Sequence, residues 1–171
     1  MRTTYFIARA LSALNKNTRY DLPGITPPFA AEQWPENSSI DCSGFINWCL
    51  RFSESRKVKH PLYERTNGGW FETSAIYADA KSPVGYFTEI KEAVSGALLV
   101  YPDQVKSGYK REGHIAIILR SHGKNISDIE KIIHCSNGAY KADGDAIKVT
   151  DPQVFLKNTK TIIVWFDGLQ P

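Results

Sequence analysis

The second half of the chain reads as a succession of short strands, and this run limits the fold more than any other feature of the 171 residues. "ALLVYP" (97–102), "GHIAIILR" (113–120), "IEKIIHCS" (129–136), "DAIKVT" (145–150) and "TIIVWFD" (161–167) are rich in β-branched and aromatic residues, with Gly, Asp, Asn or Pro between them. The first half has the other periodicity. "MRTTYFIARALSALNKNTRY" places Phe6, Ala10, Ala13 and Leu14 on one helical stripe with Ile7 and Leu11 beside it. A second helix is predicted over roughly 41–53, where Phe45, Ile46, Cys49, Leu50 and Phe52 recur at helical spacing. Helices first and strands afterwards predict an α+β domain, with N-terminal helices packed on an antiparallel sheet of about five or six strands.

The segment between the two helices, 21–39, holds four prolines and a glycine and reads as a loop, long enough to border a site. Within 60–95, "HPLYERTNGG" reads as turn and "WFETSAIYADAKS" as helix, while "PVGYFTEIKEAVSG" takes no clear assignment. There is no internal repeat and no low-complexity tract. A hydrophobic fraction of 42% and a charged fraction of 23% are ordinary globular usage, so one domain over 1–171 is expected. The net charge of +3 is densest in "RFSESRKVKH" (51–60), which reads as a solvated helix end or loop, not as a nucleic-acid stripe, and no nucleic-acid partner is expected. Arg9 interrupts the apolar run at the N-terminus and no small-residue cleavage pattern follows it, so a classical signal peptide is not expected. No segment reaches membrane-spanning length, and no membrane anchor is expected either. The expectation is synthesis in the cytoplasm, with a non-classical route if the protein acts in the periplasm or outside the cell.

Three cysteines remain to be explained: Cys42, Cys49 and Cys135. On one helix, Cys42 and Cys49 would stand about 10 Å apart at ~1.5 Å per residue, beyond the ~7 Å reach of a disulfide. No Cys or His spacing of the zinc-binding kind occurs, so neither a metal nor another cofactor is expected. Cys42 follows Ser38, Ser39 and Asp41, all with N-cap chemistry, and a helix N-terminus favours a thiolate. Position alone fits a small core residue equally well. A nucleophilic cysteine needs a base, and the histidines are His60, His114, His122 and His134. By strand alternation His114 shares a face with Ala116 and Ile118, and His134 with Ile132, although alternation leaves the register between strands undetermined. If the faces coincide and point toward the helix of Cys42, the three side chains form a Cys/His/His constellation. His60, before a proline, and His122, in "SHGKN", read as surface residues, and Cys49 and Cys135 as packing.

"DCSGF" (41–45), "GHIAII" (113–118) and "IIHCSNG" (132–138) resemble the three blocks of the NlpC family of papain-like cell-wall cysteine peptidases. The resemblance spans roughly 5–167 and implies a papain-like fold, with Cys42 as nucleophile, His114 as general base and acid, and His134 as the residue that orients it. "SGALLVYP" resembles the family's strand before the base, with Ala97 where the family has an acid. "TRYDLPG" resembles a Tyr-x-x-Gly-Gly segment, which implies Tyr20 at the oxyanion site, with Ser43 of the first block on the same oxyanion and substrate side. "GHIAII" is also similar to a block of the CHAP amidases, which place Asn or Glu where His134 stands. Asp41 reads as a helix cap, because a carboxylate touching Cys42 opposes thiolate formation.

The activity implied is hydrolysis of amide bonds in bacterial peptidoglycan stem peptides, usually the γ-D-glutamyl to diamino-acid bond, through a thioester on Cys42. The implied partner is peptidoglycan or a muropeptide. An injected toxin, a phage lysis enzyme and a recycling peptidase are the competing settings, and an immunity or inhibitor protein is a candidate partner of the first. Two alternatives stand beside this reading. One is a papain-like thiol hydrolase or acyltransferase for a lipid or other acyl substrate, which an apolar groove of Trp34, Trp48 and Trp70 near Cys42 would favour. The other is a binding module without catalysis.

Overall fold

The computed structural model describes residues 1–21, 31–52, 58–82, 84–106 and 108–171; three prolines of the predicted loop and the middle of the basic run lie outside them. In chain order the elements are α1 (Thr3–Ser12), β1 (Arg19–Tyr20), β2 (Ser39–Ile40), α2 (Cys42–Cys49), α3 (Pro61–Asn67), α4 (Thr73–Lys81), β3 (Phe87–Ile90) and β4 (Leu98–Tyr101). They continue with the hairpin β5 (Gln104–Lys106) and β6 (Tyr109–Arg111), then β7 (His114–Ser121), β8 (Ile129–Cys135), α5 (Asn137–Asp143), β9 (Ile147–Thr150), α6 (Gln153–Leu156) and β10 (Ile162–Phe166). The fold is α+β, and six strands form one antiparallel sheet in the order β3-β10-β4-β7-β8-β9.

The five strands predicted from the sequence are all in this sheet. The sixth, β3, comes from the unassigned segment, and the reason is its short sequence, "FTEI", in which the two apolar residues do not alternate. It pairs with β10 alone, Phe87 opposite Phe166 and Ile90 opposite Ile163, and of its four residues only Phe87 is buried, so it carries no alternation to read. Along the inner strands alternation is strict. Leu98, Val100, Ile115, Ile117, Ile133 and Val164 face a core with Phe6 and Ala10 of α1 and Phe45, Ile46, Trp48 and Cys49 of α2. Leu99, Ala116, Ile118, Ile132 and Ile163 face the other way, against Phe155 of α6.

Three local differences from the sequence reading have physical causes. "HPLYERTNGG" is not turn but helix α3, because His60 Nδ1 accepts the Leu62 N–H at 3.2 Å and Pro61 suits the first helical position. Helix α2 is shorter than predicted and ends at Cys49, where Leu50 caps it and Arg51 turns the chain at φ 56°. In α1 the predicted stripe also buries Arg9, only 2% exposed. Its guanidinium lies 3.7 Å over the Trp48 ring and donates to the carbonyls of Ala31 (2.9 Å), Glu32 (3.3 Å) and Trp48 (3.1 Å). These acceptors substitute for a carboxylate, and the Trp48 carbonyl stands in the last turn of α2, where the helix dipole favours a cation. Among the described residues no helix is long and apolar enough to cross a membrane.

Helix α1 is pressed onto the sheet at the turn before β4. Gly96 adopts φ 88° and donates its N–H to the Ile118 carbonyl at 2.9 Å, and a Cβ there would lie 2.3 Å from Thr3 Cγ2. Gly96→Ala is expected to lower the unfolding free energy by about 2 kcal/mol. Gly138→Ala, where a Cβ meets nothing within 4 Å, should stay within about 0.5 kcal/mol of the unmutated protein in the same urea titration.

Candidate active site

Cys42 is the first residue of α2, and the cap in front of it explains the residues around it. Asp41 Oδ1 accepts the Gly44 N–H at 2.6 Å and the Ser43 hydroxyl at 3.0 Å. Gly44 has no room for a side chain, since a Cβ would fall 2.7 Å from Ile40 Cγ1 and 3.2 Å from Asp41 Oδ1. Ser43 therefore spends its hydroxyl proton on the cap, although it also lines the cleft at Cys42.

Tyr20 arrives from a segment distant in sequence. β1 pairs in parallel with β2, setting Tyr20 opposite Ile40, and Tyr20 lines the same cleft as Cys42, where its hydroxyl favours charge on the sulfur. Thr18 anchors this strand: its N–H donates to Asp145 Oδ1 at 3.2 Å, its carbonyl accepts the Ala146 N–H at 2.8 Å, and its hydroxyl oxygen accepts Trp34 Nε1–H at 2.9 Å.

His114 and His134 are neighbours, with Nε2 of the first 2.7 Å from Nδ1 of the second. They share a face, which alternation alone had left undetermined, but it is not the face on which α2 packs, so the expected pointing of both rings toward the helix of Cys42 does not hold. Both rings lie on the side of Phe155, and His114 stacks on that ring at 5.3 Å between centroids and 17° between planes. Helix α2 packs on the opposite face, with Phe45, Ile46, Trp48 and Cys49 in one core with Ile115, Ile117 and Ile133. The β7–β8 ladder begins at Ile117 opposite Ile133, while His114, Ile115 and Ala116 pair with β4 alone. The N–H of Ile115, the residue next to the predicted base, favours charge on the Cys42 sulfur, while among the described residues no hydrogen bond joins Cys42 to His114 or His134. Tyr101, on the histidine face, stands 6.1 Å from the His114 ring, and burial first and Cys42 second raise its hydroxyl above the usual range. Parity says which residues share a face; it does not say which face a distant helix covers.

Burial dominates the electrostatics. It pushes the Cys42 thiol up to about 12, helped by the Asp41 carboxylate and opposed by the Tyr20 hydroxyl and the N–H groups of Ile115 and Ser43. It pulls His114 down to about 3, with the charge of His134 as second cause, and His134 down to about 4. The helix N-terminus was expected to favour a thiolate; desolvation and Asp41 outweigh it, and the resting site holds a neutral thiol and neutral imidazoles. Burial also raises Asp41 above the usual carboxylate range, against its bonds to Gly44 and Ser43.

A cleft of about 500 Å³ opens onto Cys42. Its charged lining is Asp41, Glu72, Asp103 and Glu112 against Lys110. Asp103 accepts the Gly113 N–H at 2.6 Å, and Lys110 lies 2.9 Å from Asp103 and 3.2 Å from Glu112. The sequence reading missed Glu72 and Asp103. Both are in plain turn contexts before α4 and after β4, and the only signal was their nearness to a helix start and to the glycine before His114. The tryptophans do not form a groove here. Trp34 and Trp48 are buried edge to face at 4.8 Å, Trp70 stands 5.6 Å from Phe52, and none of the three lines the cleft.

The other candidates fall elsewhere. All three cysteines are free, with Cys49 and Cys135 in the helix-side core. His60 caps α3, and exposed His122 stands 3.5 Å from Glu130. Among the described residues no group of three or more His, Cys, Asp or Glu could hold a metal ion. No protein-family model and no curated protein sequence matches the chain.

The depressed histidines make stability depend on pH. Unfolded histidines take up protons near pH 6.5, whereas the buried pair stays neutral down to about 4 and about 3. In that window the unfolded state binds more protons, so stability falls as pH falls below about 6.5. Urea midpoints are expected to drop between about pH 7 and pH 4.5, and His134→Asn should drop less over the same interval, whatever its midpoint at pH 7.

Proposed function

We propose that the chain is a papain-like cysteine hydrolase of the NlpC type that cleaves amide bonds in bacterial peptidoglycan stem peptides. The observation that carries this reading is that Cys42, first residue of a capped helix, and Tyr20 of β1 line one cleft. The Tyr20 hydroxyl and the N–H of Ile115, next to His114, both favour charge on the Cys42 sulfur, and His114 is bonded to His134 at 2.7 Å. A packing cysteine needs none of these partners. Cys49, buried on the core stripe of the same helix, receives no hydroxyl or second strand.

In the proposed reaction the Cys42 proton passes to His114, and the thiolate attacks the carbonyl carbon of the scissile amide. Two isolated buried charges would be costly here, but transfer from thiol to imidazole creates them together and with opposite sign. The oxyanion forms on the oxygen of the carbon now bonded to sulfur, where the Tyr20 hydroxyl and the Cys42 N–H are its donors. His114 returns the proton to the leaving amine, the C–N bond breaks, and water hydrolyses the thioester to carboxylate and free Cys42.

The charge of the cleft supports a peptide substrate over a lipid. Among the described residues the lining has four carboxylates against one ammonium, which suits a polar chain that carries amines, as stem peptides with a diamino acid do. A cleft walled by acids and lacking the tryptophans is a poor host for an acyl chain.

Digestion of purified sacculi under reducing conditions near neutral pH, followed by mass spectrometry, tests the reading. The unmutated protein is expected to release cleaved stem peptides, Cys42→Ala to lose at least about 10⁴-fold in rate, and Tyr20→Phe about 10²-fold. Iodoacetamide on the native protein should modify Cys42 alone, because Cys49 and Cys135 are fully buried. If the unmutated protein releases nothing, the cell-wall reading is wrong.

A further inference from the structure

The direction in which the His114–His134 pair carries its protons is set by a residue outside every block that drew attention in the sequence. Thr150 closes β9, and its hydroxyl oxygen lies 2.9 Å from the carbonyl oxygen of Asp151 and 3.2 Å from Nε2 of His134. A hydroxyl has one proton, and a carbonyl only accepts, so the contact with Asp151 uses that proton. The contact with His134 is then a hydrogen bond only if His134 Nε2 carries the hydrogen and donates it to Thr150. A neutral His134 protonated at Nε2 has its lone pair at Nδ1. At 2.7 Å from that lone pair, Nε2 of His114 must be the donor. This leaves the lone pair of His114 on Nδ1, which has no hydrogen-bond partner among the described residues.

We propose that Thr150 is a positioning residue of the site: by giving its proton to the Asp151 carbonyl it holds both imidazoles in the tautomers that keep His114 Nδ1 unprotonated and able to accept the Cys42 proton. The inference rests on the proposed hydrolase reading for its consequence in catalysis, though not for the tautomers themselves. Reversing the Thr150 hydroxyl reverses the chain. Were it to donate to His134 Nε2, His134 would be protonated at Nδ1 and donate to His114 Nε2. His114 would then carry its own proton on Nδ1 and have no lone pair to offer there. Burial keeps both rings neutral near pH 7, the state in which the tautomer decides.

The same corner of the fold also holds the base in place. Asp151 Oδ1 accepts the Gln153 N–H at 3.0 Å and starts α6, whose Phe155 is stacked on the His114 ring. The Thr161 hydroxyl donates to the Phe155 carbonyl at 2.7 Å and ties this helix to the chain entering β10. Residues 150–155 thus fix the proton on one side of the pair and the plane of His114 on the other.

Long-range ¹H–¹⁵N correlation of the histidine rings at neutral pH reads the tautomers directly, without substrate. The expected spectrum of the unmutated protein has His114 and His134 each protonated at Nε2. Thr150→Val, which keeps the shape and removes the hydroxyl, is expected to mix the His134 tautomers. It should also lower kcat on solubilised stem peptides by about tenfold with KM unchanged, in line with the loss of one hydrogen bond. Thr150→Ser should restore both. A proton on His134 Nδ1 in the unmutated protein overturns the proposal, and so does a Thr150→Val protein whose tautomers and kcat are unchanged. If Thr150→Val does not fold, the unmutated spectrum and Thr150→Ser still decide. A protein that leaves sacculi intact yet shows both Nε2–H forms rejects the cell-wall reading and upholds Thr150; an active protein with His134 protonated at Nδ1 does the reverse.

Discussion

The hydrogen bond from the Gly44 N–H to Asp41 is the constraint on which the site depends. It fixes where α2 begins, and with it the position of Cys42 relative to the open end of the β7–β8 ladder. The rest of the helix cannot slide, because Phe45, Ile46, Trp48 and Cys49 are buried against the sheet and the guanidinium of Arg9 is bonded to the Trp48 carbonyl near its far end. The cap has a cost in reactivity. Asp41 is a half-step from the sulfur and opposes its ionisation, so a sharply defined helix start and an easily formed thiolate are in tension. The Tyr20 hydroxyl and the N–H groups of Ile115 and Ser43 act against Asp41 and in favour of the charged sulfur.

The same residues show how far the sequence could be read. The five predicted strands, β9 at one edge among them, were legible because clustering of β-branched residues is a local property, and the same property fixed which neighbours each histidine shares a face with, though not that the two faces coincide. β3 was not legible, since "FTEI" sets Phe87 and Ile90 apart around Thr88 and Glu89, whereas β9 at the other edge, also with one buried residue, keeps Ile147 and Val149 in alternation. That α2 covers the face opposite the histidines was not legible either, because parity says which residues share a face and not which face a distant helix packs on. Tyr20 was found by resemblance to a motif; its approach to Cys42 is made by parallel pairing of β1 with β2 across a long connection, which no spacing rule encodes. Thr150 and Phe155 carried no signal at all. A threonine ending a strand and a phenylalanine in a one-turn helix are common residues in common places, and their meaning comes only from the rings they touch.

Two kinds of residue therefore make up this site, and they are under different physical demands. Cys42, His114 and His134 must have particular chemistry, so their types are restricted and readable. The residues that orient them need only present a proton, a carbonyl or a flat apolar surface at the right point, and many side chains or backbone groups can do so. The backbone carbonyl of Asp151 is the limiting case, since any residue at that position offers the same oxygen to the Thr150 hydroxyl. The part of the relay that sets its polarity is for that reason the part with the least trace in the sequence. In the proposed reaction this polarity matters more than in a solvent-exposed dyad. Water can exchange the protons of an exposed imidazole pair and supply whichever tautomer is needed, whereas His114 and His134 are 8% and 6% exposed. With so little water at the rings, the fixed acceptor at the end of the chain decides which nitrogen of each ring carries the proton.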